Sequence, residues 1–197
     1  MFKTSPPALL CALLCLSVGA HAATFTVINT NDSGAGSLRQ AIVDAVASPT
    51  SAHDNVVTFN IPGTGVHTIR PLSPLPAIKD LTIDGYTQPG SRANTLDRGS
   101  DAVLTIEIDG SLAGVAANGL VNQGAPVGTG VPNVTVLGLV INRFGGSGIA
   151  VTGPGGAGFP GFVTLRGCYI GTDASGTQAR GNGVGIDVGT DGEVMIG

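Results

Sequence analysis

Val134-Thr-Val-Leu-Gly-Leu falls on Val163-Thr-Leu-Arg-Gly-Cys at a shift of 29 residues, with Gly138 on Gly167. Asn118-Gly119-Leu120 falls on Ser147-Gly148-Ile149 at the same shift. Gly183-Val-Gly-Ile-Asp-Val repeats Gly146-Ser-Gly-Ile-Ala-Val at a shift of 37, and the extra length fits inside the polar stretch 171–182 (GTDASGTQARGN), which reads as one protruding loop. A unit this short cannot bury both of its faces alone. It has to stack on a copy of itself, and that excludes most ordinary single-core folds.

Within the repeats the apolar residues come in short runs: 56–61, 68–70, 81–84, 104–109, 134–141, 148–151, 162–170 and 185–188. Strict alternation is clearest in Thr105-Ile-Glu-Ile-Asp109, where Ile106 and Ile108 face inward and Glu107 and Asp109 outward, the mark of a half-buried strand. Two or three strands per repeat and no helix point to a solenoid whose every turn is one β rung, since a propeller blade needs four strands and about 40 residues. Stacked rungs lie about 4.8 Å apart and line the interior with Val, Ile and Leu. The expected fold class is all-β, a right-handed parallel β-helix with a short N-terminal capping α-helix.

That helix starts at Ser37, where Ser-x-x-Gln (Ser37 to Gln40) forms a capping box after Asp32-Ser-Gly-Ala-Gly. Leu38, Ala41, Ile42 and Ala45 fall on one face, Arg39, Gln40 and Asp44 on the other, and Pro49 stops the helix. A terminal rung exposes unpaired N–H and C=O groups, and the apolar stripe is suited to covering them. At the other end Val194-Met-Ile-Gly197 reads as the start of another rung with no cap after it. The expectation is a chain truncated there, or an open rung that self-associates.

Thirty-two Gly and 12 Pro with 11% charged residues describe tight turns between apolar segments, in a length that fits one domain. Before the repeats, Lys3 followed by the apolar stretch 8–18 and by Ala20-His21-Ala22 has the layout of a secretory signal, too short to span a bilayer and ending in small residues at the cleavage positions. The expected organisation is a signal peptide at 1–22, an N-terminal strand and capping helix at 23–55, and rungs at 56–197. The product is extracellular or at the cell surface, with no membrane span in the mature chain.

Cys11 and Cys15 leave with the signal, so only Cys168 remains, which excludes an internal disulfide framework and reads as a small buried apolar residue. The chain carries 13 Asp and Glu against 9 Lys and Arg, and the mature part about −5. Such a surface repels nucleic acid.

Asp32-Ser-Gly-Ala-Gly-Ser-Leu-Arg-Gln-Ala-Ile resembles the CSLREA-like N-terminal motif of bacterial exported right-handed β-helix repeat proteins, the match being carried by Ser37, Leu38 and Arg39. Ala35-Gly36 stands where a Cys precedes the Ser of the motif, and Gln40 where it has Glu. Thr82-Ile-Asp-Gly, Ile170-Gly-Thr-Asp-Ala-Ser-Gly and Gly181-Asn182 look like repeats of the same group. The resemblance implies a pectate-lyase-like fold, export and surface display, without a settled mechanism.

Asp84 and Asp109 both stand in Ile-Asp-Gly, 25 residues apart, close to one rung. Stacked carboxylates about 5 Å apart would hold Ca²⁺ or raise one pKa, while the same letters also fit Asp-Gly turns at strand ends. In a lyase-like site Arg143 or Arg166 would take the proton, and each also fits a solvated strand face. Asp173, Asp187 and Asp191 among Gly and Asn suggest Ca²⁺ weakly, lacking the dense spacing of known loops. His53 and His67 have no metal-ligand spacing, and no catalytic elbow, zinc or phosphate-loop motif occurs. Among the aromatics Tyr86 is placed to be exposed for stacking on sugars. No cofactor is implied beyond that Ca²⁺. Two functions fit: a non-catalytic exported scaffold for surface display, adhesion or carbohydrate binding, or a polysaccharide-active enzyme, a polyuronate lyase or glycoside hydrolase, working in the groove or beyond Gly197.

Overall fold

A computed structural model describes residues 22–48, 55–126, 132–153, 158–159, 161–189 and 192–197. The expected signal segment, apart from Ala22, lies outside these residues, as do Pro49, His53 and Asp191. In chain order the elements are β1 (Thr24–Val27), α1 (Leu38–Ala47), β2 (Asn55–Phe59), β3 (His67–Ile69), β4 (Leu81–Asp84), β5 (Ile106–Asp109), β6 (Leu120–Gln123), β7 (Ala125–Pro126), β8 (Asn133–Leu137) and β9 (Leu139–Asn142). There follow β10 (Ser147–Thr152), β11 (Gly158–Phe159), β12 (Phe162–Arg166), β13 (Tyr169–Ile170), β14 (Val184–Val188) and β15 (Glu193–Ile196). Over the described residues the protein is mostly β, with parallel sheets and one short α-helix.

Three sheets are wholly parallel: a first in the order β1-β2-β4-β8-β12-β15, a second in the order β3-β5-β9-β13, and a third in the order β6-β10-β14. From β4 onward the chain visits first, second and third sheet in that sequence three times, then returns to the first with β15. The short pair β7 and β11 is antiparallel. Both repeat shifts reappear as strand register: Val163 lies opposite Val134, Ile149 opposite Leu120, and Ile186 opposite Ile149.

Alternation decides which side chains fill the space between the sheets. Leu81, Ile83, Val134, Val136, Val163 and Leu165 are buried from the first sheet, Ile69, Ile106, Ile108, Leu139 and Ile141 from the second, and Leu120, Ile149 and Val151 from the third. Their outward neighbours Thr82, Thr135 and Thr164 share one register position and form a column of half-buried threonines.

The expected long strands 134–141 and 162–170 each divide in two, at Gly138 and Gly167, whose φ values of 61° and 56° turn the chain from the first sheet into the second. Only glycine takes this left-handed turn without strain. It also leaves room for Tyr86, since a Cβ on Gly138 would stand 2.7 Å from the tyrosine ring and one on Gly167 would meet its hydroxyl. Tyr86 is therefore half-buried across two glycines, donating from its hydroxyl to the Gly167 carbonyl at 3.2 Å.

The helix forms where its stripe places it. Leu38, Ala41, Ile42 and Ala45 are buried against β1 and β2, and full burial of Leu38 and Ile42 contributes roughly 1.5–3 kcal/mol each. Ser37 Oγ accepts from the Gln40 N–H at 3.2 Å. The reciprocal half of the expected capping box is absent, because the Gln40 side chain donates to Asp44 at 2.8 Å instead. The Ser-Leu-Arg run has a distinct task at each residue: Ser37 caps, Leu38 is buried, and Arg39 ties two loops together. It pairs with Asp32 at 2.9 Å and donates to the carbonyls of Ser73 and Pro74 at 2.9 and 2.7 Å. Among the described residues no helix is long and apolar enough to cross a membrane.

Candidate functional site

The two Ile-Asp-Gly segments make the same local device. Each Asp ends its strand and caps a single 3-10 turn, Asp84 accepting from the Tyr86 N–H at 2.9 Å and Asp109 from the Ser111 N–H at 3.0 Å. They do not stack. Asp84 lies in the first sheet opposite Leu137, and Asp109 in the second opposite Asn142. The 25-residue spacing misleads because an excursion between them, closed by an antiparallel bridge from Arg92 to Val103, carries the chain into the next sheet. The expected carboxylate pair at Asp84 and Asp109 is thus not formed.

Asp109 instead anchors a charge cluster on the outer face of the second sheet. Its side chain is 1% exposed, and its Oδ2 accepts from Arg143 Nη1 at 2.6 Å and from Arg70 Nε at 3.2 Å. Burial pushes its carboxyl up, but the Ser111 N–H and hydroxyl and the Arg143 guanidinium outweigh this and hold it below the ordinary carboxylate range. Arg143 takes a φ of 57°, a conformation that costs a non-glycine residue about 1 kcal/mol or more. The ion pair to Asp109 and the Arg143 N–H donated to the Arg180 carbonyl at 3.2 Å hold it there.

Two residues before Asp109 on the same strand, Glu107 accepts from Thr68 Oγ1 at 2.7 Å and from Asn142 Nδ2 at 2.8 Å. Asn142 also donates to the Thr172 carbonyl at 2.8 Å, fastening the sheet to the loop that follows β13. That loop is the extra length seen in the repeat. It closes through an antiparallel bridge between Thr172 and Ala179 and is organised by Asp173. The Asp173 Oδ1 accepts from the Ser175 hydroxyl at 2.7 Å and from the N–H groups of Ser175, Thr177 and Gln178 at 3.1, 3.3 and 3.3 Å. The Ser175 hydrogen bond is the chief reason its carboxyl is held low.

Sheet face and loop enclose a cleft of about 410 Å³, with Arg70, Arg143, Arg180, Glu107 and Asp173 among its walls. Of the candidates read from the sequence, the fold brings Asp109, Arg143 and Asp173 to this place. It leaves Arg166 exposed at the end of β12 in the first sheet, and Asp187 exposed on β14 in the third. Among the described residues no three His, Cys, Asp or Glu side chains are grouped to hold a metal ion. His67 is buried at the start of β3 with its Nε2 unpaired, and Cys168 is half-buried against the core, where burial pushes its thiol up.

Arg70, Glu107 and Arg180 were not legible as site residues. Arg70 follows two strand residues with no motif around it, and its partner Asp109 comes 39 residues later. The outward position of Glu107 was visible from the alternation, but not what it would face. Asp109 is sealed from solvent, so its chemical task is to fix two guanidiniums rather than to pass protons to a ligand. No protein-family model, curated protein or solved structure matches the chain.

Proposed function

We propose that this chain is a right-handed parallel β-helix exported through a cleaved signal peptide, a non-catalytic scaffold that binds carbohydrate or another cell-surface polymer for display or adhesion. The observation that carries the reading is the ordered return of the chain to three parallel sheets, first, second, third and first again. Parallel crossovers are right-handed in about 98% of cases, which supports that hand here. Lys3, the apolar stretch 8–18 and Ala20-His21-Ala22 support export, and the Ser37-Leu38-Arg39 resemblance to CSLREA-like β-helix proteins points the same way. The cleft on the second sheet is the recognition surface, with its buried Asp109 supporting a binding task over a proton-transfer one.

The test is to incubate the full-length secreted chain with insoluble plant and microbial wall polysaccharides, with and without Ca²⁺. Retention on at least one of them without release of reducing ends or unsaturated uronates is expected. Turnover of any of them would instead establish the enzyme alternative.

A further inference from the structure

The hydrogen-bonding capacity left over in the cleft is one-sided. Asp109 spends its oxygens on the Ser111 N–H and on Arg70 and Arg143, and both Glu107 oxygens accept from Thr68 and Asn142. Asp173 Oδ1 is filled by donors of its own loop. The guanidiniums are not used up: among the described residues Arg70 is engaged only through Nε, Arg143 only through Nη1, and the Arg180 side chain has no partner. An arginine has five N–H donors in a rigid fork, so the cleft presents donors from three guanidiniums while most of its carboxylate oxygens are occupied. Asp109 and the left-handed Arg143 hold two of the three in place.

We propose that this cleft binds a sulfate ester on a saccharide, a reading that rests on the carbohydrate-binding scaffold proposed above. A planar carboxylate has two oxygens and is satisfied by one guanidinium fork, leaving the spare N–H donors of the other two arginines without an acceptor. A sulfate ester has three terminal oxygens directed apart, one for each guanidinium. Glu107 and Asp173 in the walls, with Asp109 buried beneath Arg70 and Arg143, offset the three arginines, so the ligand is held by directed hydrogen bonds at a defined place more than by long-range attraction.

The experiment is calorimetric titration of the full-length secreted chain with a sulfated galactan, its desulfated form, a polygalacturonate and a neutral glucan, beside Arg180→Ala and Arg180→Lys. The sulfated galactan is expected to bind at least tenfold more tightly than the other three. Arg180→Ala should weaken it about tenfold with an unchanged thermal midpoint, since Arg180 is exposed, and Arg180→Lys should recover part of the loss. Asp109→Asn should weaken it further by freeing Arg70 and Arg143, and the exposed Arg180 variants decide the matter if Asp109→Asn folds poorly. Equal or better binding of polygalacturonate, desulfated galactan or glucan, untouched by Arg180→Ala, overturns the sulfate site and leaves the carbohydrate scaffold standing. Binding of none of the four here, together with no retention on the wall polysaccharides, overturns both.

Discussion

Replacing Gly110 with alanine is expected to lower stability by about 2–3 kcal/mol, and to lose most of that penalty when Phe144 is alanine as well. Gly110 follows Asp109 into its 3-10 turn, and a Cβ there would overlap the Phe144 ring. Phe144 is 1% exposed, and a ring in a close-packed interior yields only at a cost. Phe144→Ala alone should cost about 3–5 kcal/mol through lost burial and the cavity it leaves. In the double variant the new methyl enters space the ring has vacated, so the two effects should combine to less than their sum. Urea unfolding of the two single variants and the double variant measures the coupling, and simple additivity would mean that Gly110 and Phe144 do not touch. The strands they follow, β5 and β9, are neighbours in the second sheet, so the substitution damages the contact between two adjacent strands.

Asp109→Asn is expected to destabilise the protein by about 2–3 kcal/mol at neutral pH. Breaking a buried ion pair by removing one partner costs about 3–5 kcal/mol, and the lower figure applies because the arginines it leaves behind are 51% and 32% exposed, so water takes over part of their solvation. The folded carboxyl of Asp109 is held below its ordinary value. Its contribution is therefore fully present above the ordinary carboxylate pKa of about 4, and is lost as the pH falls from there through the lower folded value. The parent protein should thus lose its advantage over Asp109→Asn on acidification below about pH 4. The carboxyls of Asp32, Asp101 and Asp173 are held low as well, but they are common to both proteins and cancel in the difference. Thermal midpoints of the pair across pH 3 to 7 provide the measurement. A gap that persists at low pH would assign the effect to packing instead of charge.

What the sequence disclosed follows from which constraints are local. Gly138 and Gly167 are visible as a repeat because each turn needs a left-handed residue at the same place, and the same 29-residue shift is the register of β8 on β12. The stripe of α1 was legible for the same reason: period 3.6 is written in adjacent letters. The failures are of the opposite kind. Asp84 and Asp109 share their letters because they share a turn, and the letters say nothing of the excursion that puts them in different sheets. Tyr86 read as exposed because the glycines that receive it lie far along the chain, beside strands that come later. The cleft gathers Arg70, Arg143 and Arg180, the first two over the buried Asp109, from separate stretches of the chain, and such a meeting becomes visible only when the strand order is known.

Stacking order is accordingly the point to test, by oxidative cross-linking of paired cysteines in a Cys168→Ser background. Neighbouring parallel strands lie about 4.8 Å apart, within disulfide reach, whereas strands two apart are separated by roughly 9.6 Å and exceed the 7 Å limit. Thr135→Cys with Thr164→Cys joins neighbours in the first sheet, and Ala150→Cys with Asp187→Cys joins neighbours in the third. Thr82→Cys with Thr164→Cys skips the strand that carries Thr135. A solenoid of stacked rungs predicts that both neighbour pairs close rapidly within one chain and that the skipping pair stays reduced. Closure of the skipping pair, or failure of either neighbour pair, would contradict it.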